Sequence, residues 1–570
     1  MLIRRRGLGG RPAWFLSVLF SVALLEQACG SSDSCEETRS CGSEKKDAGS
    51  DSAAPDGGND ATADGSDGSP TDAALGDFSI SSAPGPVTLT VGNSNEVTVS
   101  VARTNGSSES LVVSAEGLPP GVTSTSAIAG ANDASVTLTL TATLAALQGS
   151  KDITVAATGV SSGLTRNATT SLFVRGRPGS LDTTFGKQGY VEAHAGGVDS
   201  YSRDLSIGAD DTIVLVGWVG VGPVGATTPN GTALAKLTPD GTPDSSFGGS
   251  GTIHEPIADG DHGYAITSQG AKGLVVFSQT KAAAGGVLRR YLGNGSIDTS
   301  FGSGGVASLP AATKGFTARN LLQQSDGKLI AVGVALNASN DWNFAAMRLT
   351  ADGQVDTSFG TGGLVLVPGG ACASADDARV HSNGSIMVVG ESHDCYDPQS
   401  FQPFMVKLTP AGALDSNFGT QGKSLLFAPT SGRAHSFLFE PPSSFIVLTG
   451  KGIGTLSLVD SAGKDTQTIG DFGSVTFPQN ATHLLRQNDN KILAVGTVGE
   501  HVLMTRFLPD FKLDTTFGEG GQKVVSTGAL LMYGVRVGFQ KDGRIIVAGT
   551  KWIPPYTAPT IRMWAARFWN

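Results

Sequence analysis

A carboxylate recurs along this 570-residue chain at Asp182, Asp244, Asp298, Asp356, Asp415, Asp465 and Asp514, at separations of 62, 54, 58, 59, 50 and 49 residues. Carboxylates in series would first be a calcium chemistry. One carboxylate per repeat, each in its own unit, cannot give a single ion the six to eight oxygens it needs. Eight histidines are present, at 194, 254, 262, 381, 393, 435, 483 and 501. None stands in HExxH or in a paired-cysteine arrangement, and the loop Asp259-Gly260-Asp261-His262 has no recurring partner. No GxSxG elbow, P-loop or dinucleotide fingerprint placed between a strand and a helix is found. The expectation is therefore no catalytic residue, no metal and no cofactor, and a chain that is not an enzyme.

The carboxylates belong to a repeated motif that has to be positioned by something. Its copies are Leu181-Asp-Thr-Thr-Phe-Gly186, Pro243-Asp-Ser-Ser-Phe-Gly248, Ile297-Asp-Thr-Ser-Phe-Gly302, Val355-Asp-Thr-Ser-Phe-Gly360, Leu414-Asp-Ser-Asn-Phe-Gly419 and Leu513-Asp-Thr-Thr-Phe-Gly518, with a decayed seventh around Asp465. Each is followed by a short strand such as Leu364–Val367. A second strand then runs into a tight turn such as Ser325-Asp-Gly-Lys328 or Lys541-Asp-Gly-Arg544, with Asn383-Gly384 in the same place in its own unit. Asp-Gly and Asn-Gly between apolar runs are strong hairpin signals. A nearly all-apolar third strand, such as Ile545-Ile-Val-Ala-Gly549, and a fourth, such as Phe344–Leu349, complete the unit. Seven units of four antiparallel strands predict a seven-bladed β-propeller over 177–570 in an all-β chain. The motif aspartates would accept backbone N–H bonds in a turn. Phe185, Phe247, Phe301, Phe359, Phe418 and Phe517 would be buried wedges between blades. The last unit stops at its fourth strand, so ring closure is expected from packing or from residues near Phe173. The unit resembles the delta-60 repeat family in its Leu-Asp-Thr-Ser-Phe-Gly-x-x-Gly and Asp-Gly-Lys-Ile-x-Val-x-Gly signatures. That resemblance implies a propeller-like exported or surface protein and no particular activity.

The remaining chain reads as an address and a stalk. Arg4, Arg5, Arg6 and Arg11 precede an apolar run, Ala13–Leu25, of a length that suits an export signal but not a membrane-spanning helix. Ala28-Cys29-Gly30 resembles the lipobox of bacterial lipoproteins. This implies a signal peptide over 1–28 and a lipid on Cys29, hence a membrane partner and a place in the cell envelope, at the outer membrane or cell surface. The pattern departs from the family where Glu26 stands three places before the cysteine, which leaves plain secretion and an uncleaved anchor open. Residues 29–77, rich in Ser, Asp, Gly and Ala, cannot bury enough apolar surface to offset ordering entropy and read as a disordered acidic tether. Alternating runs such as Val97-Thr-Val-Ser-Val101 and Val136-Thr-Leu-Thr-Leu140 predict a β-sandwich over 78–176. Its stretch Ser114–Ser124 resembles bacterial Ig-like modules. In an exported protein Cys372 and Cys395, symmetric about Asn383-Gly384, are expected to form a disulfide.

Function is legible only in outline. The 40 basic and 50 acidic residues leave a net charge of -10, which argues against nucleic-acid binding. Part of that charge is the tether's. Motif turns and hairpin turns share one side of the ring, and longer, variable connections between third and fourth strands leave the other. Variable loops on a rigid scaffold are where binding concentrates. They carry Trp218, Trp342, Tyr396, Phe401, Trp552 and Tyr556, which suit a protein or glycan ligand or else fold back as local caps. Aligned second-strand positions hold Arg203, Arg319, Asp376 and Thr482, a mixed lining that singles out no reaction. The expected function is an exported, lipid-anchored binding scaffold; the alternatives are a structural envelope lipoprotein and a propeller hydrolase or lyase acting on a polysaccharide.

Overall fold

Alternation of β-branched and apolar residues with Gly-containing turns produces strands throughout the computed structural model, which describes residues 76–82, 85–196, 199–220, 229–256, 262–280, 285–309, 314–369, 372–393, 400–426, 432–451, 453–468, 480–498, 501–526, 532–553 and 560–570. Among these there is no α-helix, only one short 3-10 turn at Gly270–Lys272. The expected signal and nearly all of the expected tether lie outside the described residues. Residues Asp72–Asn570 form one compact unit.

Strands between Asp77 and Arg175 make a four-stranded and a five-stranded sheet. Leu89, Ile153, Leu172 and Val174 of one sheet pack with Val97, Val122 and Leu140 of the other, and a second cluster joins Phe78 and Val99 to Leu111 and Val155. The two sheets therefore face each other as a sandwich. Strand Val87–Thr90 runs parallel to Leu172–Arg175, while the other pairings are antiparallel.

The rest of the described chain forms seven four-stranded sheets, the blades of a β-propeller. Their first strands are Asp199–Ile207, His262–Ser268, Thr317–Gln323, Cys372–Val380, Arg433–Glu440, Asn480–Arg486 and Met532–Phe539, in blades one to seven. Each first strand neighbours the first strands before and after it, and the seventh returns to the first, so these strands line a central channel. In blade three the order outward is Thr317–Gln323, Leu329–Leu336, Trp342–Leu349 and Leu364–Val367. The hairpin between the first two holds Gly327 at φ 83, a conformation that favours glycine.

The short strand after each motif is the outermost strand of the preceding blade, not the start of a new one. The sequence repeat and the blade are thus out of phase by one strand. This corrects the expectation about closure. Tyr190–Ala193, the strand after the first motif, pairs antiparallel with Met563–Ala566 and completes blade seven. The ring is fastened by a strand from its beginning, and Phe173 instead meets Trp569 edge-on at 5.8 Å. Trp569 also donates through Nε1 to Gln148 Oε1 at 2.8 Å, and Arg175 Nη2 donates to the backbone oxygen of Asn570 at 2.7 Å. Sandwich and propeller are joined where the ring closes.

Candidate functional site

The repeated carboxylates are occupied by structure. In Asp356 one oxygen, Oδ1, accepts from the Ser358 N–H (3.1 Å) and hydroxyl (2.6 Å), an Asx turn that starts the motif. The other, Oδ2, accepts from Arg348 Nε at 2.8 Å. Arg348 lies eight residues earlier, on the third strand, with its guanidinium 4.7 Å above the centre of the Phe359 ring. The same trio recurs as Lys236–Asp244–Phe247, Arg290–Asp298–Phe301, Lys407–Asp415–Phe418 and Arg506–Asp514–Phe517. Arg567–Asp182–Phe185 repeats it across the ring closure. All six phenylalanines are fully buried. The third-strand cation is the partner sequence reading missed, although its spacing was visible. In the decayed repeat of Asp465 the position eight residues earlier is Ser457, and the motif phenylalanine is gone as well. Cation and ring disappear together, as a stacked unit should.

The expected loop aromatics divide. Trp218 does not stand in a loop: it lies in the strand Ile213–Gly220, 5% exposed, stacked on Tyr201 at 3.7 Å with the rings 7° from parallel. Trp552 lies in Ile545–Ile553 and packs against that pair with Ile561. Trp342 begins the third strand of blade three, opposite Leu336. These three are therefore built into blade ends, and Trp218 is corrected from a displayed residue to a core residue. Phe401 is half-buried, 4.6 Å from the His393 ring, with the Arg433 guanidinium 4.8 Å over its face. Tyr396, Tyr556, Cys29 and Cys395 lie outside the described residues. Cys372 is disulfide-bonded.

What the structure brings together is the inner edge of the ring. Every first strand carries a β-bulge at the same place. The extra residue is Arg203, Tyr264, Arg319, Asp376, His435 and Thr482 in blades one to six, and Gly534 with Val535 in blade seven. A bulge leaves a residue out of the ladder and re-aims it, and bulges concentrate beside functional sites. Here the strand has a ladder partner only on its outer side; the bulge residues Arg203 and Arg319 are exposed, whereas Val535 of blade seven is buried in an apolar cluster. Contacts then run from bulge to bulge. Arg203 stacks over the Tyr264 ring at 5.4 Å, Arg319 lies 3.9 Å from Asp376, and His435 Nδ1 lies 3.6 Å from the other Asp376 oxygen. Sequence reading had four of these residues; Tyr264 and His435 were missed because the hairpin turns of their blades, Gln269–Gly273 and Glu440–Ser444, hold no Asp or Asn to align on.

Around this ring the electrostatics are uneven. Burial alone would raise the Asp376 carboxyl, but His435, Arg319 and the Ser374 hydroxyl outweigh it and hold it below the usual carboxylate range. Glu391, on the second strand of blade four, is nearly inaccessible, and burial pushes its carboxyl up to about 7 although Arg433 Nε stands 2.7 Å from Oε2. Burial, with Arg536, Arg379 and His435 nearby, pushes His483 well down. Arg379 reaches from blade four to the Leu484 carbonyl of blade six at 3.0 Å, and Arg536 pairs with Asp204 at 3.2 Å. Among the described residues no three His, Cys, Asp or Glu side chains converge as a metal site.

The family described as a domain of unknown function (DUF5122) beta-propeller matches residues 208–247 and 324–359. Both stretches run from the hairpin turn of a blade through its second and third strands to the motif phenylalanine, and they support a propeller-type protein. No curated protein matches the chain. Among solved structures, Escherichia coli alpha-2-macroglobulin activated by porcine elastase aligns over 87% of this chain at 10% identity with a TM-score of 0.14. This chain spans 50% of that one, and a likeness at this level carries no argument.

Proposed function

We propose that this is an exported, lipid-anchored surface protein whose propeller is a binding scaffold, with its ligand taken at the channel mouth. The observation that carries this reading is the ring of bulges. Seven blades share one framework, yet their bulges hold unlike residues: Arg, Tyr, Arg, Asp, His and Thr in blades one to six, and Gly with Val in blade seven. Contacts between neighbouring bulges account for part of that asymmetry, and recognition of an asymmetric ligand makes use of the exposed arginines they leave. The arginine-rich start and Cys29 supply the address, 29–77 the spacer, and the sandwich, read as Ig-like, the base. A glycan and surface-protein array with the purified chain tests the scaffold. Binding is expected, and Thr482→Trp, which fills the mouth, is expected to abolish it; an empty array, or binding that survives Thr482→Trp, defeats the reading. Lipid attachment is tested by palmitate labelling, which should vanish in Cys29→Ser.

A second reading, cleavage of a polysaccharide, is favoured by one observation. Glu391 offers a buried carboxyl near neutrality, beside the ionised Asp376 and His435. A carboxylic acid poised near the working pH next to a carboxylate is the arrangement general acid–base chemistry uses. New reducing ends from a polysaccharide panel, lost in Glu391→Gln, would support it; their absence would remove it.

A further inference from the structure

Resting on the binding reading above, we propose that the channel mouth selects a carboxylate-bearing saccharide, a uronate, held by Arg203 and Arg319 on either side of Tyr264. These are the bulge residues of blades one, two and three, and so are consecutive on the channel's inner edge. Both arginines are exposed, unlike the buried motif arginines 290, 348, 506 and 567. The Arg319 side chain is 49% accessible and only 3.9 Å from its nearest carboxylate, a loose contact that leaves its fork of donors open to a ligand. A guanidinium fork matches a carboxylate in two parallel hydrogen bonds. Arg203 is braced against the Tyr264 ring rather than against an acid.

The neighbours on the ring decide between anions. Two arginines and one aspartate leave one net positive charge among the bulge residues, enough for a single carboxylate. Asp376 would repel a phosphate-rich polyanion, yet it and Thr482 can accept from or share hydrogen bonds with hydroxyl groups, as His435 can. A ligand that carries one carboxylate per unit amid several hydroxyls satisfies all of these groups at once. A phosphate ion offers no hydroxyl array, and a neutral sugar leaves both arginines unanswered.

The test is calorimetric titration of the full chain with a panel of uronate trimers, the same trimers as methyl esters, and inorganic phosphate. Esterification removes the charge and keeps the hydroxyls. At least one free uronate is expected to bind, its ester at least tenfold more weakly, and phosphate not to compete. Arg203→Gln with Arg319→Gln should lose at least tenfold in affinity with an unchanged melting temperature, and Arg203→Lys with Arg319→Lys should recover only part, since lysine restores charge without the fork. Equal binding of acid and ester, full competition by phosphate, or unaltered affinity in the Gln pair would overturn the proposal. Binding of neutral glycans with no uronate binding would overturn it while leaving the scaffold reading intact; no glycan or protein bound at all would remove both.

Discussion

Replacing Asp356 by alanine tests the architecture of the repeat directly. The change deletes two hydrogen bonds to Ser358 and the partner of Arg348, whose side chain is 8% accessible and whose Nε sits 2.8 Å from the carboxylate. Removing one partner of a buried pair leaves an uncompensated charge, typically worth about 3–5 kcal/mol. Arg348 keeps its bond to the Pro410 carbonyl and its stack on Phe359, so the lower end of that range applies. The lost turn bonds add roughly 1 kcal/mol, giving about 4 kcal/mol in all. Arg348→Met in the same background removes the stranded charge and fills the space over Phe359. The double variant is therefore expected to be more stable than the Asp356→Ala single by about 1–2 kcal/mol, because replacing both members of a buried pair is far less costly than removing one. Chemical denaturation followed by tryptophan fluorescence, to which Trp342 of the same blade contributes, reads the effect. A cost for Asp356→Ala below about 1 kcal/mol, or strict additivity in the Arg348 double variant, would refute the claim that cation, carboxylate and ring act as one unit.

Three further outcomes follow from the same geometry. Asp244, Asp298, Asp356, Asp415 and Asp514 all titrate below their ordinary 3.8, chiefly through the serine, threonine and cationic partners of the motif acting against burial. Protons therefore bind the unfolded chain more readily, so this contribution is complete above about pH 4–5 and drains as pH falls below 3.8; it should appear as a steep loss of melting temperature below pH 4, on top of the separate slopes that Glu391 and His483 give between about pH 4 and 7, and a melting temperature unchanged from pH 5 to pH 2 would contradict it. Trp218→Ala removes a 5% exposed ring from its stack on Tyr201 and should cost about 3–5 kcal/mol in denaturation, whereas wild-type stability with lost binding would restore the displayed-loop view. Val191→Pro places a residue without an N–H in the strand opposite Ala565 and should open blade seven, seen as faster limited proteolysis of 532–570; unchanged protection would mean that the closing strand is dispensable.

The blades were readable because each depends on local chemistry: Asp-Gly hairpins, apolar third strands and a motif repeated often enough to count. The out-of-phase closure was not, because a sequence repeat gives the order of strands but not which neighbour each one pairs with. Leu364–Val367 follows its motif closely and could belong to either adjoining blade; it joins Trp342–Leu349 because the connecting motif is folded tightly enough to return the chain alongside that strand. Once that holds for six blades, the seventh needs an outer strand, and the chain left over before the first blade is Tyr190–Ala193. The misreading of Trp218 has a different origin. Exposure was inferred from its place after an apolar strand, yet the strand runs on through Gly220 and its next turn of packing is the facing Tyr201 of the same blade.

The channel ring marks the boundary of what spacing can reveal. A bulge inserts one residue into a strand, so the alternation that identifies the strand slips by one and the inserted residue looks like noise in the pattern. Aligned on the hairpins, Arg203, Arg319, Asp376 and Thr482 showed unlike chemistry, and unlike residues at equivalent positions argued for no site. The contacts reverse that inference. Arg203 meets Tyr264 and Asp376 meets both Arg319 and His435, so the residues differ because each is matched to its neighbour around the ring rather than to its counterpart in the repeat. The motif shows the opposite rule: Asp, Phe and the cation are alike in six repeats because each serves its own blade, and in the seventh the cation and the ring are lost together. In a ring of repeats, sameness between units marks what holds each blade together, and, on the binding reading proposed above, difference at the inner-edge bulge marks where the ring would meet a ligand.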